Sequence, residues 1–206
     1  MQITVVDHPL LKAKMTRLRD INTDCATFRR TIGEVAMLLT FEAAAGIPME
    51  ECQVTTPLCE TTGSRIHGTV NVIPILRAGL GFMEGVLTVL PEANVGHIGM
   101  SRNETTLEPM EYYCKLPKDL DAYTIVVDPM LATGGSAVAA VDQLKKRGLK
   151  NICFMCLVAA PEGVLKLNAA HPDVKIYAAA LDDHLNEKGY IVPGLGDAGD
   201  RIFGTL

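Results

Sequence analysis

The sequence has no apolar run long enough to cross a bilayer: the longest, Ile152 to Ala160, is far short of the roughly 20 residues a membrane helix needs. It also has no excess of positive charge. Nineteen Lys and Arg against 24 Asp and Glu leave a net charge of -5, which argues against a general nucleic-acid or acidic-membrane binder. An anionic ligand must therefore be held by local groups rather than by the global field. No serine sits in a Gly-x-Ser-x-Gly elbow and no Gly-Lys-Ser/Thr marks a Walker loop, so hydrolase and P-loop kinase readings lose most of their weight. His8, His67, His97, His171 and His184 show no spacing that suggests zinc or a catalytic triad. The first residues carry neither a basic start nor a hydrophobic segment with a cleavage site, and the expectation is a cytoplasmic protein whose six cysteines stay reduced. Cys153 and Cys156 have C-x-x-C spacing, but they lie inside the apolar run with no second ligand pair nearby. Buried strand thiols are expected, not a metal or redox site.

What is present suits a single domain, residues 1–206, built on one sizeable core. Hydrophobic residues make up 48% and charged residues 21%, the balance of a folded globule rather than a disordered chain. The N-terminal third reads as helical, with Thr23 as a cap and Phe28, Ile32, Val35, Ala36 and Leu39 on the helical period until Gly46-Ile-Pro48 stops it. Cys52 to Thr56 and Pro57 to Thr62 suggest a small hairpin. From Val70 the pattern becomes strand, turn, helix: strands at Val70 to Leu76, Asn94 to Ser101, Tyr123 to Val127, Ile152 to Ala159 and Val174 to Ala180, with helices at Gly79 to Leu90, Ser136 to Arg147 and from Pro161. Near-continuous apolar strands alternating with helices predict an α/β fold with a parallel sheet covered on both faces, and ligands beyond the carboxyl ends of the strands. Arg102 to Pro117 lacks clear periodicity, apart from a candidate strand at Glu111 to Cys114. It reads as a flap or a surface excursion.

Three segments carry chemistry. Tyr123 to Val127 runs into Asp128 and then Thr133-Gly134-Gly135-Ser136 at a helix start, where glycines and unpaired N–H groups can cradle a phosphate beside an acid suited to sugar hydroxyls. Taken alone, Gly-Gly could simply make a tight turn and Asp128 could be an ordinary loop acid. Leu76-Arg77-Ala78-Gly79 is a second strand-to-helix turn, where a guanidinium suits a solvent- or anion-facing position. Gly194-x-Gly196-x-x-Gly199 formally matches a dinucleotide fingerprint, but the few residues after it leave no room for the required helix and ribose acid. It reads instead as a glycine-rich loop whose backbone can lie against a flat ligand, anchored by Ile191, Ile202 and Phe203.

With these segments the chain resembles the uracil phosphoribosyltransferases of the type I phosphoribosyltransferase family. The likeness rests on His8-Pro-Leu, Leu18-Arg19-Asp20, Pro74-Ile-Leu-Arg77-Ala-Gly-Leu-Gly81, Arg102 with Glu104 to Pro109, Asp128 to Ser136, Ala159-Ala-Pro-Glu-Gly163 and Leu185 to Thr205. The resemblance implies a type I phosphoribosyltransferase sheet with an N-terminal helical segment, a β-flap and a C-terminal hood, mainly residues 181–206. It implies transfer of ribose 5-phosphate from 5-phosphoribosyl-1-pyrophosphate (PRPP) to N1 of uracil, giving UMP and pyrophosphate. Asp128, Pro129, Met130, Leu131, Ala132, Thr133, Gly134, Gly135 and Ser136 would hold PRPP, with Asp128 on the ribose hydroxyls. Arg77 and Arg102 would meet the pyrophosphate, and Asp197 would lie near PRPP and Mg²⁺, which is carried through PRPP and water with no direct protein ligand. Ile191, Gly196, Asp197 and Ala198 would read uracil. Arg77, Arg102, Asp128 and Asp197 form the catalytic set. Dimers or tetramers and activation by GTP, known for some members, are expectations of the same kind. Ser101 stands where the family pattern has an aromatic residue, and His184 where it has a small or basic one. The competing readings are a phosphoribosyltransferase for another base and a nucleotide-sensing regulator on the same fold.

Overall fold

The computed structural model describes residues 2–102 and 109–205. Strand β1 (Thr4–Val5) is followed by helix α1 (Pro9–Arg19), capped by His8, whose Nδ1 accepts from the Leu10 N–H, with Pro9 at the first helical position where an N–H is not needed. Helix α2 (Cys25–Ala43) starts one residue later than a Thr23 cap would place it. Asp24 is the cap, its carboxylate accepting from both the N–H and the hydroxyl of Thr27, while the Thr23 hydroxyl donates to the Arg17 carbonyl. Strands β2 (Met49–Thr55) and β3 (Glu60–Ile66) pair antiparallel as a separate two-stranded hairpin. The second strand lies later than the expected Pro57 to Thr62 because Thr56 to Cys59 form the turn: Thr56 Oγ1 accepts from the N–H groups of Leu58 and Cys59. Gly63 then pairs with Cys52 inside the ladder.

The core is the repeat that follows. It comprises β4 (Val70–Leu76), α3 (Gly79–Val89), β5 (Asn94–Val95), β6 (His97–Arg102), β7 (Pro109–Lys115), β8 (Tyr123–Val127), β9 (Met130–Leu131), α4 (Gly135–Lys146), β10 (Ile152–Ala159), α5 (Pro161–Ala170) and β11 (Lys175–Leu181). The main strand order is β1-β11-β10-β8-β4-β6-β7, all parallel except the antiparallel pair β6–β7, the flap hairpin at the edge. The expected strand from Asn94 is split at Gly96 into β5 and β6. Three short elements close the fold: β12 (His184–Leu185), β13 (Ile191–Val192) and α6 (Ala198–Phe203).

Period-two alternation sends each buried strand's side chains to two faces. Val70, Val72, Ile125, Val127 and Met155 pack with α1, α2, α3 and α6, whereas Ile73, Ile75, Val126, Phe154 and Cys156 pack with α4 and α5. Cys153 and Cys156 fall on opposite faces, both buried, as the strand reading expected. Phe28, Phe82 and Phe154 are wholly enclosed, each worth about 1.5–3 kcal/mol relative to exposure. Helices α2 and α3 approach through glycine: a Cβ at Gly85 would lie 2.2 Å from the Gly33 carbonyl oxygen.

Candidate active site

The parallel strands deliver three turns to one edge of the sheet. β4 runs out into Arg77, β8 into Asp128, and β9 leads through Ala132 into α4. Gly79 brings the first two together, because a Cβ there would stand 2.6 Å from the Val127 carbonyl oxygen, a contact only glycine allows. The Leu76–Arg77 peptide is cis. Against this edge folds the C-terminal segment, leaving a cleft of about 330 Å³, at the small end of the range for small-molecule sites. Arg77, Ala78, Asp128, Met130 and Ala132 line it from the sheet, and Gly189 to Ile191 with Gly196 to Gly199 line it from the hood.

Of the residues expected from the sequence, Arg77, Asp128, Met130, Ala132, Ile191, Gly196, Asp197 and Ala198 thus share one cleft. Thr133, Gly134, Gly135 and Ser136 are not among the lining residues; they continue from Ala132 into the first turn of α4. Pro129 and Leu131 do not line the cleft: both are buried, and their carbonyls accept from Leu157 and Val158 and from Ala160, fastening the turn to β10. Arg102 ends β6. Its side chain and residues 103–108, with most of the Glu104 to Pro109 motif, lie outside the described residues.

At the head of α4, Gly134 has φ +73°, and a Cβ would meet the Gly163 carbonyl oxygen at 2.9 Å, so glycine is required both by conformation and by packing. The first intrahelical bond is Val138 N–H to the Gly134 carbonyl. The N–H groups of Gly135, Ser136 and Ala137 precede it, and that of Gly135 makes only a long 3.4 Å contact to Thr133 Oγ1. These donors lie at the positive end of the helix dipole, an arrangement whose chemistry suits an anion.

The cleft's acids sit in different surroundings. Burial pushes the Asp128 carboxyl up to about 7, with the Asp197 charge adding to the rise and the Met130 N–H opposing it. Asp197 caps α6, its Oδ1 accepting from the Asp200 N–H at 2.9 Å and leaving Oδ2 for other partners. Arg77 is 60% exposed, forms a loose 3.6 Å ion pair with Asp200 and lies 5.9 Å from the centre of the Phe203 ring. A guanidinium so lightly held is available to an incoming anion.

The sequence reading missed Ala78, Gly189, Tyr190 and Gly199 as lining residues. Tyr190 had a signal, since it adjoins Ile191: Asn186 Oδ1 accepts from its N–H in a tight turn that aims the segment at the cleft. The glycine-rich C-terminus is also not a simple loop. It contains α6, because an Asp197 cap followed by buried Ala198, Gly199 and Ile202 is enough for one short helix.

A sequence model described as uracil phosphoribosyltransferase matches residues 5–205. A uracil phosphoribosyltransferase of Agathobacter rectalis is 57% identical over 206 residues, covering 99% of each chain. A solved structure, the AQ2163 protein from Aquifex aeolicus, superposes with a TM-score of 0.92 at 39% identity, covering 98% of this chain and 97% of its own. Orotate phosphoribosyltransferase from Aeropyrum pernix shares the fold at a TM-score of 0.51 and 16% identity, covering 84% of this chain and 93% of its own.

Proposed function

The chain belongs to the uracil phosphoribosyltransferase family, pentosyltransferases of pyrimidine salvage that convert uracil and PRPP to UMP and pyrophosphate, and we propose how its residues divide that reaction. The observation that supports the assignment is the single cleft in which a sheet-edge arginine, a buried acid and the hood backbone meet. In this reading residues 1–206 act as one domain. The α4 N-terminus, Thr133 to Ser136, takes the 5-phosphate of PRPP, and Asp128 accepts hydrogen bonds from the ribose hydroxyls. Arg77, released from Asp200, meets the pyrophosphate from the core, and Arg102 meets it from the flap. The hood backbone of Ile191, Gly196 and Ala198 reads the donor and acceptor edge of uracil. A base with a misplaced amino group leaves buried groups unpaired, so uracil should be preferred over cytosine.

Uracil N1 forms the new bond to ribose C1 as the C1–oxygen bond to pyrophosphate breaks, and the N1 proton leaves the base. The protein aligns the two reactants and excludes water; Arg77 and Arg102 neutralise the departing charge, and ionised Asp128 stabilises positive charge developing on the ring. Asp197 Oδ2 is the candidate acceptor for the N1 proton.

The donor set fits Mg²⁺ held mainly by substrate. Among the described residues no cluster of three or more His, Cys, Asp or Glu could cage a metal, while Asp128 and Asp197 supply two oxygen-bearing groups beside the anion seat. Bound there through PRPP and water, Mg²⁺ would add charge neutralisation at the pyrophosphate. Exposed Met49, Val54, Leu58 and Ile66 on the β2–β3 hairpin support assembly as a homodimer or homotetramer. A GTP effector rests on the family resemblance, and a cytoplasmic setting on the sequence expectation given above; among the described residues no helix is long and apolar enough to cross a membrane. A base panel with PRPP and Mg²⁺ tests the assignment: UMP formation from uracil is expected, and preferred turnover of a purine base or orotate would refute it.

A further inference from the structure

Leu18-Arg19-Asp20, at the end of α1, lines no part of the cleft, yet its groups converge on the hood. Arg19 donates from Nη1 and Nη2 to the two oxygens of Asp182 at 2.7 and 2.6 Å, and from Nη1 to the Gly194 carbonyl at 2.8 Å. Asp182 is 7% exposed and accepts in turn from the Gly194 N–H at 2.8 Å. One residue on, Arg201 Nη1 donates to the Leu195 carbonyl at 2.8 Å and to the Leu18 carbonyl at 2.6 Å, while its Nη2 donates to the Asp20 carbonyl at 2.7 Å. Its guanidinium stacks 4.2 Å from the Phe28 ring centre. Two guanidiniums thus grip the consecutive carbonyls of Gly194 and Leu195, directly before Gly196 enters the cleft.

The gripped segment needs holding. β13 ends at Val192 and α6 begins at Ala198, so no strand ladder or helix fixes the residues between. Gly194 and Gly196 sit at φ +60° and +79°, and a Cβ at Gly194 would lie 2.1 Å from the Ile191 carbonyl oxygen. Glycines free to leave this geometry would blur a base edge read by backbone groups, because each residue fixed costs about 1–2 kcal/mol of conformational entropy. The sugar-phosphate half, on β8 and α4, makes none of these bonds.

We propose that the end of α1 is a positioning element for base recognition, in which Arg19, locked on Asp182, and Arg201, anchored on the Leu18 and Asp20 carbonyls, set the hood backbone that reads uracil. This rests on the uracil phosphoribosyltransferase reading and names the residues that determine its base specificity. Neither arginine is catalytic; each acts through Gly194 and Leu195.

The test compares steady-state kinetics of Arg19→Gln and Arg19→Lys with the unmodified enzyme, varying uracil and PRPP separately. Loss of charge-assisted bonds in Arg19→Gln is expected to raise the uracil KM about tenfold or more. The PRPP KM should stay within about twofold, the split that marks a base-side effect. Arg19→Lys, which keeps the charge facing Asp182, should recover part of the loss and remains informative if the glutamine variant folds poorly. Uracil preference over cytosine should fall in parallel. Lys12→Ala, on the same helix but, among the described residues, ion-paired with exposed Asp7 alone, should leave both constants unchanged. An unaltered uracil KM in both Arg19 variants, or an equal rise in both constants, would overturn the proposal. Failure of the unmodified enzyme to make UMP would refute the functional reading itself, and the clamp with it.

Discussion

Replacing Asp128 by Asn should make the protein more stable and less active, by an amount that depends on pH. The carboxyl is pushed from an ordinary 3.8 up to about 7, chiefly by burial. At about 1.36 kcal/mol per pH unit this displacement corresponds to about 4 kcal/mol of native-state penalty once the group is ionised. The carboxyl keeps an accessible edge toward the cleft, and solvent reduces the figure to about 2–4 kcal/mol. The sign follows from proton uptake. Between pH 4 and 7 the folded state binds the Asp128 proton more tightly than the unfolded chain does, so this site's contribution to stability falls as pH rises through that window and stays low above it. Asn has no such titration, and its Oδ1 can still accept from the Met130 N–H. Its advantage is therefore small near pH 4 and full by about pH 8, where it should raise Tm by roughly 5–15 °C for a chain of this size. Thermal unfolding at pH 4.5, 6 and 8 without ligand measures it. PRPP should narrow the gap by stabilising the native enzyme more, because its hydroxyls are matched to the carboxylate. UMP formation by Asp128→Asn should fall at least tenfold, roughly the effect of removing an electrostatic stabiliser. A stability difference that is constant from pH 4.5 to 8 would show that Asp128 is not held protonated and would remove the basis of the argument.

Arg77→Ala should weaken PRPP and lower kcat/KM by roughly 10- to 100-fold, the scale of one or two charge-assisted hydrogen bonds; unchanged kinetics in a folded variant would exclude Arg77 from the mechanism. PRPP affinity, measured by calorimetry, should decline as pH falls below about 7, by up to tenfold per pH unit from Asp128 protonation, and Asp128→Asn should flatten that contribution. Gly134→Ala puts a side chain at φ +73° and 2.9 Å from the Gly163 carbonyl oxygen, so denaturant unfolding should show a loss of about 1–2 kcal/mol or more together with weaker PRPP binding. Gly85→Ala, far from the cleft, should destabilise by about 3 kcal/mol through the Gly33 clash while leaving the KM values of the folded fraction intact.

The sheet was legible where burial writes directly into composition: Val70–Leu76, Tyr123–Val127 and Ile152–Ala159 are near-continuous apolar runs, interrupted by Asn71 in the first and Thr124 in the second, and each is a strand with those limits. Legibility failed where a side-chain hydrogen bond decides. Asp24 outcompetes Thr23 as a cap, and Thr56 closes a turn that moves the next strand to Glu60. The cleft was readable because glycine, acid and arginine sit at strand ends, where parallel topology gathers them. The Arg19–Asp182 grip had no local pattern to reveal it: 163 residues separate the partners, and only folding makes them neighbours. The six-residue helix α6 is likewise too short for any period to show.

The order of the grip along the chain bears on synthesis. Arg19, Leu18 and Asp20 leave the ribosome early, whereas Asp182, Gly194 and Arg201 emerge only after β4, β8 and β10 can already have docked. During synthesis the β8–α4 turn can therefore form before Gly194 and Leu195 are gripped, and Arg19 stays without Asp182 until the segment that carries it has followed.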